Sequence, residues 1–173
     1  YTHLAQAHFL NQHPRNAVSI LEKALEKNPA YPPARKALID HALRRKNWDE
    51  ALTHLQVLAE QRPESIEVKK VLGETYVNLG NFARAEAVFR EIRGQEGYAA
   101  LGDFLLGRLA LTRNQAGQAG RLFEQALQER PLFRAAMEGK VRALLQQGQG
   151  KEALGFTRRL THRHPDEAFV FQL

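Results

Sequence analysis

The 173-residue chain has no cysteine, one methionine and one tryptophan. The missing cysteine excludes disulfides and any thiolate-held metal, and it fits the cytoplasm and an oxidising compartment equally. Valine and isoleucine are sparse and never alternate over a strand-length run, so no sheet is predicted. Long apolar runs are missing too: none approaches the roughly 20 residues of a membrane span. No signal peptide is visible. The chain opens at Tyr1 without a methionine, inside a predicted helix, and residues 167–173 read as the start of another. We expect a piece of a longer protein whose compartment, cytoplasmic or periplasmic, stays open. Membrane contact would come only through flanking segments or a partner.

What is present is leucine, alanine, glutamine, glutamate, arginine and lysine, all good helix formers, and the predicted class is all-α. The net charge of +6 is unevenly placed. Residues 1–133 carry 18 Lys+Arg against 15 Asp+Glu, whereas residues 134–165 carry seven against two. A basic stripe along the whole chain, as expected of a nucleic-acid binder, is therefore missing, and nucleic acid is disfavoured as a partner.

The strongest pattern is a period. Ala17, Ala51, Ala85, Ala119 and Ala153 recur every 34 residues, as do Pro29, Pro63, Gly97, Pro131 and Pro165. Leu21, Leu55, Phe89, Phe123 and Thr157 keep the same spacing, and so do Leu4, Leu38, Leu72, Leu106 and Lys140. Each unit reads as two helical stripes around a short turn. In the third unit Val68, Val71, Leu72 and Val77 form one stripe, and Ala85, Val88, Phe89 and Ile92 the other. Two antiparallel helices approach closely only where one presents a small side chain, which assigns Gly73 and Ala85 to contacts and Tyr76 and Phe89 to the large knobs beside them. The closing proline ends the second helix. One such hairpin cannot bury its apolar faces alone, so neighbours must stack.

A 34-residue unit with a small residue and tyrosine in the first helix, alanine and phenylalanine in the second and a closing proline resembles the tetratricopeptide repeat. Leu72, Gly73, Tyr76, Ala85 and Phe89 carry the likeness in the third unit, and Leu106, Gly107, Ala119, Phe123, Ala126 and Pro131 in the fourth. The fifth departs most, with Lys140 and Thr157 at large apolar positions. About five repeats are expected, near residues 1–31, 32–65, 66–99, 100–133 and 134–167, with 168–173 opening a further helix.

The resemblance implies a right-handed α-solenoid, a superhelix whose first helices line a concave groove that takes peptides or protein segments. At the groove positions stand Lys36, Asp40, Lys70, Glu74, Leu101, Phe104, Leu105, Arg108 and Arg142. The clamp by which chaperone-binding members hold a carboxylate needs Lys and Asn, then Asn, then Lys and Arg. Here Val71, Leu101 and Leu105, or in the next register Leu105, Ala135 and Gly139, stand in its place, so that mode is rejected. Lys36–Asp40, Lys70–Glu74 and Glu138–Arg142 are opposite charges four apart, each worth ~0.2–0.5 kcal/mol on a solvated helix. Leu101, Phe104 and Leu105 form an apolar patch, and the residue one turn before Arg108 is Phe104 rather than an acid. An apolar patch edged by arginine has the composition of a hot spot, although packing between neighbouring first helices would use the same residues.

No nucleophile–base set, phosphate loop, cofactor motif or metal constellation is visible. His162 and His164 lack a third ligand, and Arg158, Arg159 and Arg163 form a basic patch that suits a helix C-terminus. Trp48 is expected in a turn, packed against the neighbouring hairpin. The expectation is a non-catalytic scaffold for a protein or peptide partner, without small-molecule substrate or cofactor. The alternative is a docking segment of a multiprotein assembly, such as a bacterial secretion or exopolysaccharide-export complex; the Gln-, Arg- and Leu-rich composition suggests a bacterial source. Apolar ends of a cut array would favour self-association.

Overall fold

A computed structural model describes residues 1–163, so the expected helix over 168–173 and His164 lie outside the described residues. Among those residues there are ten helices and no strand. Two compact units divide at Asn81. The first holds α1 (Thr2–Leu10), α2 (Pro14–Lys27), α3 (Pro32–Arg44), α4 (Trp48–Gln61) and α5 (Ile66–Asn78). The second holds α6 (Phe82–Gly94), α7 (Ala99–Thr112), α8 (Ala116–Glu129), α9 (Arg134–Gln146) and α10 (Gly150–Arg163).

Local sequence sets the helix starts. Pro14 and Pro32 occupy the first turns of α2 and α3, where the missing N–H costs nothing. Asn47 accepts from the Glu50 backbone N–H, and its amide donates to Glu50 Oε2 at 2.6 Å, a reciprocal cap on α4. Ser65 Oγ caps α5 through the Val68 N–H at 3.3 Å. Trp48 is the first residue of α4 rather than part of the turn, and it is half-buried.

The stops show a regularity that the sequence hid. Gln12, Lys46, Gly80, Asn114 and Gly148 all have positive φ, between 57° and 73°. After each, the next N–H reaches back to the carbonyl five residues earlier: His13 to His8 at 2.8 Å, Asn47 to Ala42 at 2.9 Å, Asn81 to Tyr76 at 2.9 Å, Gln115 to Ala110 at 2.8 Å and Gln149 to Leu144 at 2.9 Å. These are Schellman closures, in which one left-handed residue satisfies the terminal carbonyls of the first helix. Only two of the five left-handed residues are glycine. A Cβ on Gly80 would meet nothing within 4 Å, so Gly80→Ala should cost about 1 kcal/mol from backbone strain alone. Lys46→Gly should cost nothing in the native turn and gain less than that, because it also loosens the unfolded chain. Chemical denaturation of both variants tests the pair.

The repeated alanines Ala17, Ala51, Ala85, Ala119 and Ala153 are all buried. So are Gly73, Tyr76, Phe89 and Phe123. In the first unit Ala5, Ala17, Leu21, Ala24, Ala34 and Leu38 form one core cluster. In the second, Ala110, Ala119, Phe123, Ala126, Ala136 and Ala143 form another. Phe123 is the hub of this second cluster. A Cβ on Gly107 of α7 would stand 2.7 Å from its ring, and one on Gly139 of α9 would stand 2.6 Å away. The ring therefore lies between two helices that meet it with bare backbone.

Two histidines are enclosed in the first unit. The His41 ring lies 4.9 Å from that of Phe9, and the His54 Nδ1 is buried without a hydrogen-bond partner. Burial, with Arg45 beside His41 and Arg35 near His54, holds both below the ordinary imidazole value of 6.5. The unfolded chain then binds protons more tightly than the fold does. The contribution is intact above 6.5 and is lost as pH falls through the folded values. Melting curves from about pH 8 to about pH 5 should show the loss, and His54→Leu should reduce it; an unchanged slope would contradict this origin.

Candidate partner-binding face

In the first unit α3 and α5 each pack on α4, and residues of both meet the C-terminal half of α4 around one opening. They leave an open slot of about 320 Å³ whose walls include Ile39, Leu43, Leu58, Val68 and Val71. The expected groove residues Lys36 and Asp40 line the same slot and are exposed, together with Glu67. Lys70 and Glu74 are half-buried on α5 and do not line it. The apolar wall was not anticipated, although Val71 at a position where other members place a polar ligand was the available sign. The exposed polar residues and the apolar residues of the three helices thus share one lining.

The second unit offers a different surface. Phe104 on α7 is half-buried, its ring centroid 4.9 Å from Phe133 and 6.1 Å from Phe123. The Arg108 guanidinium lies 5.7 Å over the Phe104 ring, a cation–π stack. Leu101 is half-buried beside them in sequence. Leu105 is only 1% exposed and belongs to the interior, not to a groove lining. The reason is the crowding of α7, which packs on α6, α8 and α9 and buries seven of its residues. Arg142 is exposed on α9, but Glu138 is engaged one turn earlier by Arg134 Nε at 2.8 Å.

The odd residues of the fifth repeat are accommodated. Lys140 ion-pairs with Glu124, and its ammonium lies 4.5 Å over the Phe156 ring. Burial first, and Arg159 second, hold its pKa below the ordinary lysine value. A long side chain thus fills an apolar position with its stem while its head meets an aromatic face. Thr157 is half-buried and donates to Leu154 O at 3.0 Å. Arg158, Arg159 and Arg163 are exposed on α10. Among the described residues no group of three or more His, Asp or Glu could hold a metal, and no helix is long and apolar enough to cross a membrane.

A family model described as tetratricopeptide repeat matches residues 8–72, 42–97 and 110–172. The BBSome complex member BBS4 homolog of Drosophila melanogaster is 36% identical over 115 residues, which are 62% of this chain and 23% of that protein. The chain thus spans less than a quarter of the length of that relative. The crystal structure of MamA protein superposes with a TM-score of 0.73 at 15% identity, covering 95% of this chain and 90% of that one. The structure of YrrB, described as a TPR protein with an unusual peptide-binding site, gives 0.66 at 15% identity, covering 99% and 89%. At these identities the structural likeness is one of fold.

Proposed function

The chain belongs to the tetratricopeptide repeat family, whose arrays are protein–protein interaction scaffolds, and from that premise we propose that it seats a segment of a partner protein along its first-helix face without catalysing a reaction. The observation that carries this is the slot between α3 and α5: apolar walls, open to solvent, with Lys36 and Asp40 at a groove position on one side. A partner side chain enters against Ile39, Leu43 and Val71, and its flanking polar groups meet Lys36, Asp40 and Glu67. The second unit, taken by itself, presents Leu101 and the Phe104–Arg108 stack on its first helix α7, with exposed Arg142 on α9. An aromatic held under a guanidinium is a rigid anchor that loses little entropy on binding.

Affinity purification from the source organism, with the chain as bait, tests the reading. Val71→Glu closes the slot, and Arg108→Glu breaks the stack without touching the core. Loss of the partner with either variant, at unchanged helicity, supports the first-helix face. A partner retained by both contradicts it. The likeness to a BBSome complex member supports a second reading, in which the array is one docking wall of a multiprotein assembly. That reading expects several co-purifying proteins in fixed proportion.

A further inference from the structure

The stripe of α7 opposite Phe104 and Arg108 faces a second, larger cleft. It lies between α6, α7 and α8, is open to solvent, and measures about 530 Å³. Leu106, Leu109 and Leu122 give it an apolar floor, while Arg90, Arg93 and Arg113 stand in its walls. We propose that this cleft is a second interaction site, which takes an acidic segment of a partner protein: carboxylates on the three arginines, an apolar side chain on the leucine floor.

The arginines are held in place from within. Glu86 is shared, its Oε1 2.6 Å from Arg90 Nη2 and its Oε2 3.4 Å from Arg113 Nη1. Arg93 Nε stands 2.7 Å from Oδ1 of Asp103, which is buried. Each acid takes only part of a five-donor fork. The side chains of Arg90, Arg93 and Arg113 remain 70%, 49% and 38% exposed, so further N–H groups face the cleft. Guanidiniums fixed before binding lose less freedom when a carboxylate arrives, and their planar forks suit it.

The repeat supplies its own comparison. In the first unit a cleft between α2, α3 and α4 is lined by Arg15, Glu22, Arg45 and Glu50, which balance. Sixty-eight residues on, two repeats along the chain, Glu22 becomes Arg90 and Glu50 becomes Gln118, whereas Arg45 stays arginine as Arg113. Both acids have been exchanged, while Val18 becomes Glu86 and Arg15 becomes Ala83, so the second cleft is lined by three arginines and one acid where the first has two of each. The floor has no aromatic ring on which a base could stack, which favours a peptide over single-stranded nucleic acid.

Fluorescence anisotropy on the full chain tests this, with a short labelled peptide alternating Glu and Leu and a control peptide carrying Gln for Glu. Arg90→Glu/Arg113→Glu and the Gln peptide should each lower affinity at least about tenfold, with Arg90→Gln/Arg113→Gln losing less in the same direction, while Arg121→Glu on α8 and Val71→Glu in the first-helix slot stay within about twofold. Unchanged binding by Arg90→Glu/Arg113→Glu overturns the proposal, as does equal binding of the Gln peptide. Loss with Val71→Glu would place the peptide in the α3–α5 slot of the first unit and overturn the proposal too. Tighter binding of a poly-thymidine strand, lost in the same arginine variants, would make the cleft a nucleic-acid site instead and would equally overturn it.

Discussion

Phe123→Ala is expected to lower stability by about 3–5 kcal/mol. At about 2–4 °C per kcal/mol for a chain of this size, the melting temperature should fall by roughly 6–20 °C. The ring is fully buried and wedged between Gly107 and Gly139, and these two positions bring no side chain to fill the void. The converse changes should also destabilise. Gly107→Ala and Gly139→Ala each push a methyl to within 2.7 Å and 2.6 Å of a ring that has nowhere to move. A smaller side chain relieves that clash, so Gly139→Ala should be less harmful on a Phe123→Leu background than on the wild type. If the two changes add without coupling, the cradle does not hold the ring.

Gly102→Ala should be the other large effect, at about 1–3 kcal/mol or above. A Cβ there would stand 2.4 Å from both Cα and Cβ of Arg93 and 2.6 Å from its backbone N. Backbone cannot rotate out of the way, so α6 must shift against α7. The shift drags Arg93 away from Asp103 and opens one wall of the arginine cleft. Gly102→Ala should therefore weaken binding of the Glu/Leu peptide as well as stability, unlike Gly139→Ala, which lies outside that cleft. A melting curve and an anisotropy titration on both variants separate the two effects.

Much of this architecture was legible because it repeats. The spacing of Ala17, Ala51, Ala85, Ala119 and Ala153 marked the tight contact of every second helix, and all five are buried. The period could not reveal features that depend on pairs of helices. Gly139 stood at a position read as a failed clamp, yet it serves as a bare surface for a phenylalanine 16 residues earlier. Leu105 was read as groove lining because its repeat position faces the groove elsewhere. With three helices packed on α7, that position turns inward. The left-handed turn residues were hidden by their identities, since Gln12, Lys46 and Asn114 carry no glycine cue. The slot between α3 and α5 comes from side chains on helices more than 20 residues apart, Ile39 and Val71 among them, which no single-helix stripe displays.

The most direct measurement of the central claim is site-specific photocrosslinking to the partner that the chain captures. A benzophenone side chain is placed in turn at Lys36, on the wall of the α3–α5 slot, and at Lys23, exposed on α2. A crosslink from position 36 that disappears with Val71→Glu, and none from position 23, is the predicted result. Crosslinks from position 23 with none from position 36 would place the partner away from the first-helix face and contradict the account.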